Sequence, residues 1–120
     1  MKGFLSEEIE RIIKSVPNKE ISPELSSIIY CLGRDAENEE EYDYAFSKLL
    51  ELYERENETV KAQVIQAFSL LAVLKQDIKV LDRSIVEPLV LSAYSDAIGR
   101  NKQVIQDAID DINHSLSWNL

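Results

Sequence analysis

The sequence predicts an all-α fold of about six helices, packed as stacked antiparallel pairs. Apolar residues recur at spacings of three and four along most of the chain, which is the pattern of amphipathic helices. No alternating apolar run flanked by a turn dipeptide indicates a strand. Three Gly and three Pro in 120 residues are too few for a loop-rich or disordered chain. We therefore expect a single helical domain over residues 1–120.

Residues 1–34 predict an N-terminal helical hairpin. The apolar stripes are Leu5, Ile9, Ile12, Ile13 and Val16 in the first helix, and Leu25, Ile28, Ile29 and Leu32 in the second. Pro17 ends the first helix. Ser22 and Pro23 are typical of the N-cap and the first position of a helix. Gly33 is expected to end the second helix in a left-handed conformation.

Residues 38–75 predict a second helix pair. Asn38 is placed to cap its first helix, and Glu41 follows three residues later, as in a capping box. The stripes are Tyr42, Ala45, Phe46, Leu49, Leu50 and Tyr53, then Val60, Val64, Ile65, Phe68, Leu71 and Ala72. Asn57 separates the two helices, and residues 75–82 are expected to form a connection.

Residues 84–116 predict the third pair. Ser84 and Glu87 have capping-box spacing, which places Pro88 in the first helical turn, where a missing N–H does least harm. Gly99 is expected in the turn before a last helix that runs from about residue 102 to 116. Trp118 follows it, and the sequence leaves open whether this side chain packs on the core or belongs to an interface.

A shift of 44 residues superimposes the stripes of the second and third pairs. It aligns Tyr42 with Val86, Ala45 with Leu89, Leu49 with Ala93, Val64 with Ala108 and Ile65 with Ile109. Two helices in a repeat of this length are typical of helical solenoids, in which each pair buries its apolar face against the next.

The repeat resembles the HEAT family in three segments, Glu58–Phe68, Glu87–Leu91 and Ser95–Asp96. Val60 and Lys61 stand where HEAT repeats usually have Val-Arg, whereas Val104 and Ile105 at the equivalent place depart from that pattern. The resemblance covers about residues 42–116 and implies a HEAT-like α-α superhelix. A compact helical bundle remains the alternative. HEAT-like scaffolds bind many kinds of ligand, so the resemblance implies little about function.

The negative charge is concentrated in residues 35–58, which hold ten carboxylates and two bases and so carry −8 of the chain's net −9. The carboxylates are Asp35, Glu37, Glu39, Glu40, Glu41, Asp43, Glu51, Glu54, Glu56 and Glu58. A field localised in this way attracts basic partners and repels nucleic acid and anionic membranes. The sequence therefore predicts a basic protein partner.

A helical wheel places the candidate contact residues on the face opposite the third helix's stripe. They are Glu37, Glu40, Tyr44, Ser47 and Glu51. Tyr44 is predicted to be an exposed aromatic ringed by carboxylates, which is typical of an energetic centre in an interface. The alternative is a solvated face on which Glu51 pairs with Lys48 or Arg55.

The last helix carries a second polar group of Asp107, Asp110, Asp111 and His114. Such residues can hold a divalent cation or transfer a proton. With one His and no nucleophile nearby, we expect neither catalysis nor a metal or cofactor site. These residues are predicted instead to extend the acidic partner-binding surface.

Several features favour a soluble cytoplasmic protein. The lone Cys31 excludes an intramolecular disulfide and is expected to be a half-buried structural thiol. Charged residues from Glu7 onward interrupt any signal peptide, and no apolar stretch reaches the length of about 20 residues that a membrane span requires.

In overall character this small acidic chain resembles the immunity proteins of bacterial toxin–immunity systems, several of which are HEAT-like. That resemblance implies an inhibitor that covers the active site, or an adjacent surface, of a basic nuclease-type toxin. The alternative is a HEAT-like adaptor or scaffold subunit that binds protein partners. Partner range distinguishes the two, because an inhibitor has one tight partner and an adaptor has several weaker ones.

Overall fold

A computed structural model describes residues 6–120, which form six α-helices and no strand. The helices are α1 (Ser6–Ser15), α2 (Pro23–Arg34), α3 (Glu39–Tyr53), α4 (Glu58–Leu74), α5 (Arg83–Asp96) and α6 (Gly99–Leu116). The predicted all-α fold of about six helices is confirmed. Leu5, which the sequence assigned to the first apolar stripe, lies outside the described residues.

Helix α4 is the centre of the molecule, since it packs against α2, α3, α5 and α6. Helix α3 also contacts α2, and α5 also contacts α6, while α1 packs on α2. The shortest dimension is 20 Å, which fits two layers of helices whose axes lie about 10 Å apart. The radius of gyration, 13.4 Å, is that of a globular chain of this length. With only three pairs, the HEAT-like superhelix remains a prediction.

The sequence of α4 explains its central position. Glu58 and Lys61 are its only charged residues, and the helix is apolar on nearly all sides after its first turn. Phe68 is fully buried and its ring lies 5.7 Å from that of Phe46 on α3. Ser69 is also buried, but its hydroxyl donates to the Gln66 carbonyl and so leaves no unpaired polar group.

Gly33 does not end α2 in a left-handed conformation, so that prediction is wrong. The helix continues to Arg34, and Asp35 caps it with right-handed geometry. A Cβ atom on Gly33 would lie 2.7 Å from the Ala67 carbonyl oxygen, closer than side chains approach backbone. Glycine is required here because α2 and α4 meet backbone to backbone.

Three helices begin where the sequence predicted, and in each a side chain just before the helix caps its first turn. Ser22, Asn38 and Asn57 accept hydrogen bonds from the backbone N–H three residues ahead, as N-caps do. Helix α5 is different, because Asp82 caps it and not Ser84. Asp82 lies 44 residues after Asn38, so the two caps share the register of the internal repeat.

The predicted Ser84–Glu87 capping box is therefore wrong. Glu87 pairs instead with Arg83 one turn earlier. Pro88 lies inside α5, beyond the first turn.

Helix α6 begins at Gly99, about three residues before the predicted start. Ile98 occupies the N-cap position without a side-chain hydrogen bond, and the amide of Asn101 donates to the Thr59 hydroxyl on α4. At the other end Trp118 is buried, with the Arg83 guanidinium 5.5 Å from its ring. The question left open for Trp118 is thus resolved in favour of the core.

Candidate protein-binding surface

The outward side of α3 carries most of the predicted contact residues. Helix α3 buries Tyr42, Ala45 and Leu49 toward α2 and α4, which turns the opposite side of the helix toward solvent. Glu40, Ser47 and Glu51 are exposed on that side, and Glu37 is exposed in the segment just before the helix. We call these four residues the α3 acidic face.

Tyr44 differs from its prediction, because it is half-buried at the junction with α1 and is not an exposed anchor. Its hydroxyl donates to Glu10 Oε2 at 2.8 Å. The Lys48 ammonium lies 5.8 Å from the ring centre and 2.6 Å from the same Glu10 oxygen. Burial, and next the bond to Glu10, raise the pKa of Tyr44 above its ordinary value. Tyr44 therefore fixes α3 to α1.

The two bases of residues 35–58, Lys48 and Arg55, bind groups of this same chain. Lys48 pairs with Glu51, as the alternative interpretation expected, but also with Glu10 on α1. Arg55 does not pair with Glu51. Its guanidinium donates to the carbonyls of Ile13 at 2.7 Å and Val16 at 2.6 Å, which caps the C-terminal end of α1. These contacts keep Arg55 from neutralising the acidic face.

Ion pairs reduce the negative charge of residues 35–58 without removing it. Five of the ten carboxylates are paired: Asp35 with Arg34, Glu39 and Asp43 with Lys79, Glu51 with Lys48, and Glu56 with Lys19. Counting Lys19, Arg34 and Lys79 with the segment changes its net charge from −8 to −5. The exposed carboxylates Glu37, Glu40, Glu54 and Glu58 form no ion pair with any described residue.

The backbone before α3 is ordered by a buried carboxylate. Glu41 is 5% exposed, and its Oε1 accepts the Glu37 N–H at 2.8 Å. Its own N–H donates to the Asn38 side chain at 2.9 Å. In the predicted capping box the Glu41 side chain would accept from the Asn38 N–H. It accepts instead from the N–H of Glu37, one residue earlier. This bond fixes the backbone of Glu37, which is the one member of the acidic face that precedes the helix.

The polar group on α6 forms a separate surface. Asp107, Asp110 and His114 are exposed as expected, but every Cα atom of α6 lies more than 8 Å from those of α3. Asp107 accepts a hydrogen bond from Gln103 and Asp110 accepts one from Gln106, each one helical turn away. Over residues 6–120 no group of three or more His, Cys, Asp or Glu side chains could hold a metal ion. The structure therefore does not join the two predicted sets into one surface.

Cys31 is half-buried on α2, as the sequence predicted. Burial, and then the neighbouring Asp35 carboxylate, raise the pKa of its thiol. A raised pKa keeps the sulfur protonated, which is the opposite of what a nucleophile needs.

Sequence reasoning missed Glu10 and Lys79, which shape the charge of α3 from other parts of the chain. Glu10 contacts Tyr44 and Lys48 from α1, and Lys79 reaches Asp43 from the α4–α5 connection at 2.6 Å. No local pattern marks either residue. The internal repeat predicts that neighbouring helix pairs stack. It was the one indication in the sequence that other parts of the chain would contact α3 on both sides.

None of the described helices combines the length and the apolar character that crossing a membrane requires. No protein-family model, no curated protein and no solved structure matches the chain, so its likenesses to HEAT repeats and to immunity proteins remain predictions.

Proposed function

We propose that this protein is an inhibitor that acts in the cytoplasm by binding a basic protein through the α3 acidic face. The observation that carries the proposal is that Glu37 and Glu40 are exposed, form no ion pair with any residue among 6–120, and lie near bases that are already engaged. An anionic surface of this kind accelerates association with a cationic partner and disfavours partners of the same charge.

The rigidity of the surface also supports this function. Tyr44 and Lys48 fix α3 to α1, and Glu41 fixes the backbone at Glu37. A preorganised surface loses little conformational freedom on binding, so more of the interaction energy contributes to affinity. Tyr44 is assigned a supporting role, while Glu37, Glu40, Ser47 and Glu51 form the proposed contact.

The partner class follows from the charge. Nuclease-type toxins have basic grooves because they bind phosphates, and an acidic protein seated in or beside such a groove blocks access to it. We therefore propose an immunity protein that neutralises a basic toxin domain. The polar group on α6 is not included in the contact, because α4 packs against both helices while no Cα atom of α6 comes within 8 Å of one in α3.

The direct test is co-expression with the product of the adjacent reading frame. We expect a stable one-to-one complex, and loss of the partner's enzymatic activity on binding. A complex that leaves that activity unchanged would contradict inhibition. Several partners of similar, weak affinity would favour the adaptor alternative.

A further inference from the structure

A cavity of about 230 Å³ lies beneath the α4–α5 connection, beside the N-terminal half of α3. It is lined by Tyr42, Asp43, Phe46, Lys79, Val80 and Asp82. We call it the Tyr42 pocket. Pockets for drug-sized ligands span roughly 300–1,000 Å³, so this one fits a single side chain better than a cofactor.

The Tyr42 hydroxyl is a buried polar group that has no hydrogen-bond partner in the part of the chain that the structure describes. Tyr42 is 2% exposed, and burial raises its pKa to about 12. The charges that act on its phenol are those of Lys79, Asp43 and Asp82, all of which line the same cavity. Tyr42 itself lines the pocket, and its buried hydroxyl has hydrogen-bonding capacity that no residue among 6–120 uses.

The pocket already holds a cation. The Lys79 ammonium lies 2.6 Å from Asp43 Oδ1, 3.4 Å from Glu39 Oε1 and 6.0 Å from the centre of the Tyr42 ring. Two carboxylates beside an aromatic face form a binding environment for a positively charged side chain. Lys79 comes from a connection, and its side chain is 41% exposed. Exposed ion pairs contribute little stability, so displacing Lys79 has a low energetic cost.

We propose that the Tyr42 pocket receives one arginine side chain of the basic partner, and that Lys79 occupies the pocket until the partner binds. A guanidinium suits this site better than an ammonium does, because it is planar, weakly hydrated and carries several donors. In the place that Lys79 vacates beside the Tyr42 ring, its N–H groups can donate to the Asp43 and Asp82 carboxylates. Val80, 64% exposed at the mouth, offers an apolar contact for the arginine stem.

This inference rests on the proposed function for the identity of the partner, but its test does not use the partner. The probe is N-acetyl-arginine amide, titrated into the whole chain while backbone amide shifts are followed by NMR. The matched control probe is N-acetyl-citrulline amide, which has nearly the same shape and no charge. We expect saturable shifts at Asp43, Val80 and Asp82 with the arginine probe only. Equal shifts with citrulline, or shifts confined to α6, would overturn the proposal.

Variants test the role of Lys79. Lys79→Ala should tighten arginine binding about threefold, since it removes the competing cation. In that background Asp43→Asn should weaken binding about tenfold. Glu54→Gln is the matched control, because this exposed carboxylate lies at the opposite end of α3 and is unpaired among the described residues. An unchanged affinity in Lys79→Ala, or equal losses from Asp43→Asn and Glu54→Gln, would contradict the assignment.

The pocket and the inhibitor function can fail separately. If the arginine probe does not bind while charge reversal on the α3 acidic face still slows association with the partner, the pocket assignment is wrong and the inhibitor function stands. If the probe binds at the pocket but no basic partner is found, the affinity of the pocket for arginine stands and the inhibitor function is wrong.

Discussion

Helices α3 and α4 are neighbours in sequence and in space, yet they differ in charge and in burial. Helix α3 carries five carboxylates and one lysine in 15 residues, whereas α4 carries one acid and one base in 17. Nine residues of α4 are buried, and the helix contacts every other helix except α1. Helix α3 also buries one side, so the difference is that most of the charge of this hairpin lies on the exposed side of α3, while α4 contributes mainly to the core. Substitutions can therefore alter one property without the other.

The largest expected effect is on α4. Phe68→Ala removes a fully buried ring that packs against Phe46, and we expect the free energy of unfolding to fall by about 3–5 kcal/mol. Urea denaturation measures this directly. Val73→Ala on the same helix is the control, because Val73 is 45% exposed and should change stability by less than about 0.5 kcal/mol. Equal losses would mean that α4 is not the core helix described above.

A smaller loss is expected where α2 meets α4. Replacing Gly within a helix by Ala usually stabilises it by about 0.5–1 kcal/mol. At Gly33 we predict the opposite sign, a loss of about 1–3 kcal/mol, because the added Cβ would press against the Ala67 carbonyl. Thermal or urea unfolding gives the answer, with Ser27→Ala on the exposed side of α2 as the control. A stabilised Gly33→Ala protein would show that the two backbones are farther apart.

A still smaller loss is expected where the α3–α4 connection contacts the C-terminal end of α1. Arg55→Ala leaves the Ile13 and Val16 carbonyls without their donor, and we expect a loss of about 1–2 kcal/mol. Hydrogen exchange should show faster opening of α1 amides and little change in α4. Arg55→Lys keeps the charge but not the two-pronged donor geometry, so it should recover only part of the loss. Uniform acceleration across all helices would contradict a local role.

The smallest effect concerns pH. Hydrogen bonds from Lys48 and then Tyr44 lower the pKa of Glu10 below its ordinary value of 4.5. Because the folded pKa is depressed, this contribution is complete above about pH 4.5 and is lost as the pH falls through the folded value. Glu10 is partly exposed, so we expect only about 0.5 kcal/mol.

Glu10→Gln should therefore flatten the fall in the free energy of unfolding between neutral pH and pH 3, measured by urea denaturation at each pH. Glu20→Gln, in the exposed α1–α2 connection, should leave the profile close to that of the natural chain. If both variants behave alike, the bonds to Glu10 have no measurable effect on stability.

The parts of the fold that depend on nearby residues were predictable from the sequence. Apolar spacing gave the helices, and the caps at Ser22, Asn38 and Asn57 act over three residues. The start of α5 was predictable from the repeat, because Asp82 stands 44 residues after Asn38, but the Ser84–Glu87 spacing suggested a competing cap.

The candidate site was only partly predictable, because distant residues modify it. Helical periodicity correctly indicated that Glu40, Ser47 and Glu51 are exposed, whereas Glu37 is exposed but precedes the helix. It could not place Tyr44, whose hydroxyl bonds to a carboxylate 34 residues away, or Lys79, which meets Asp43 from 36 residues away. Such contacts depend on how helices pack, which the spacing within one helix does not encode. The wrong prediction for Gly33 has the same cause. Glycine is favoured both where a helix ends and where two backbones meet closely, and the spacing within one helix does not distinguish the two.

The central claim is that α3, and not α6, guides a cationic partner. The most direct measurement is the association rate with that partner across salt concentrations, for Glu37→Lys/Glu40→Lys and for Asp107→Lys/Asp110→Lys, which change the net charge equally. We predict that the α3 reversal slows association at least about tenfold at low salt and flattens the salt dependence, while the α6 reversal has a much smaller effect. Equal rates and slopes for the two variants would contradict the claim.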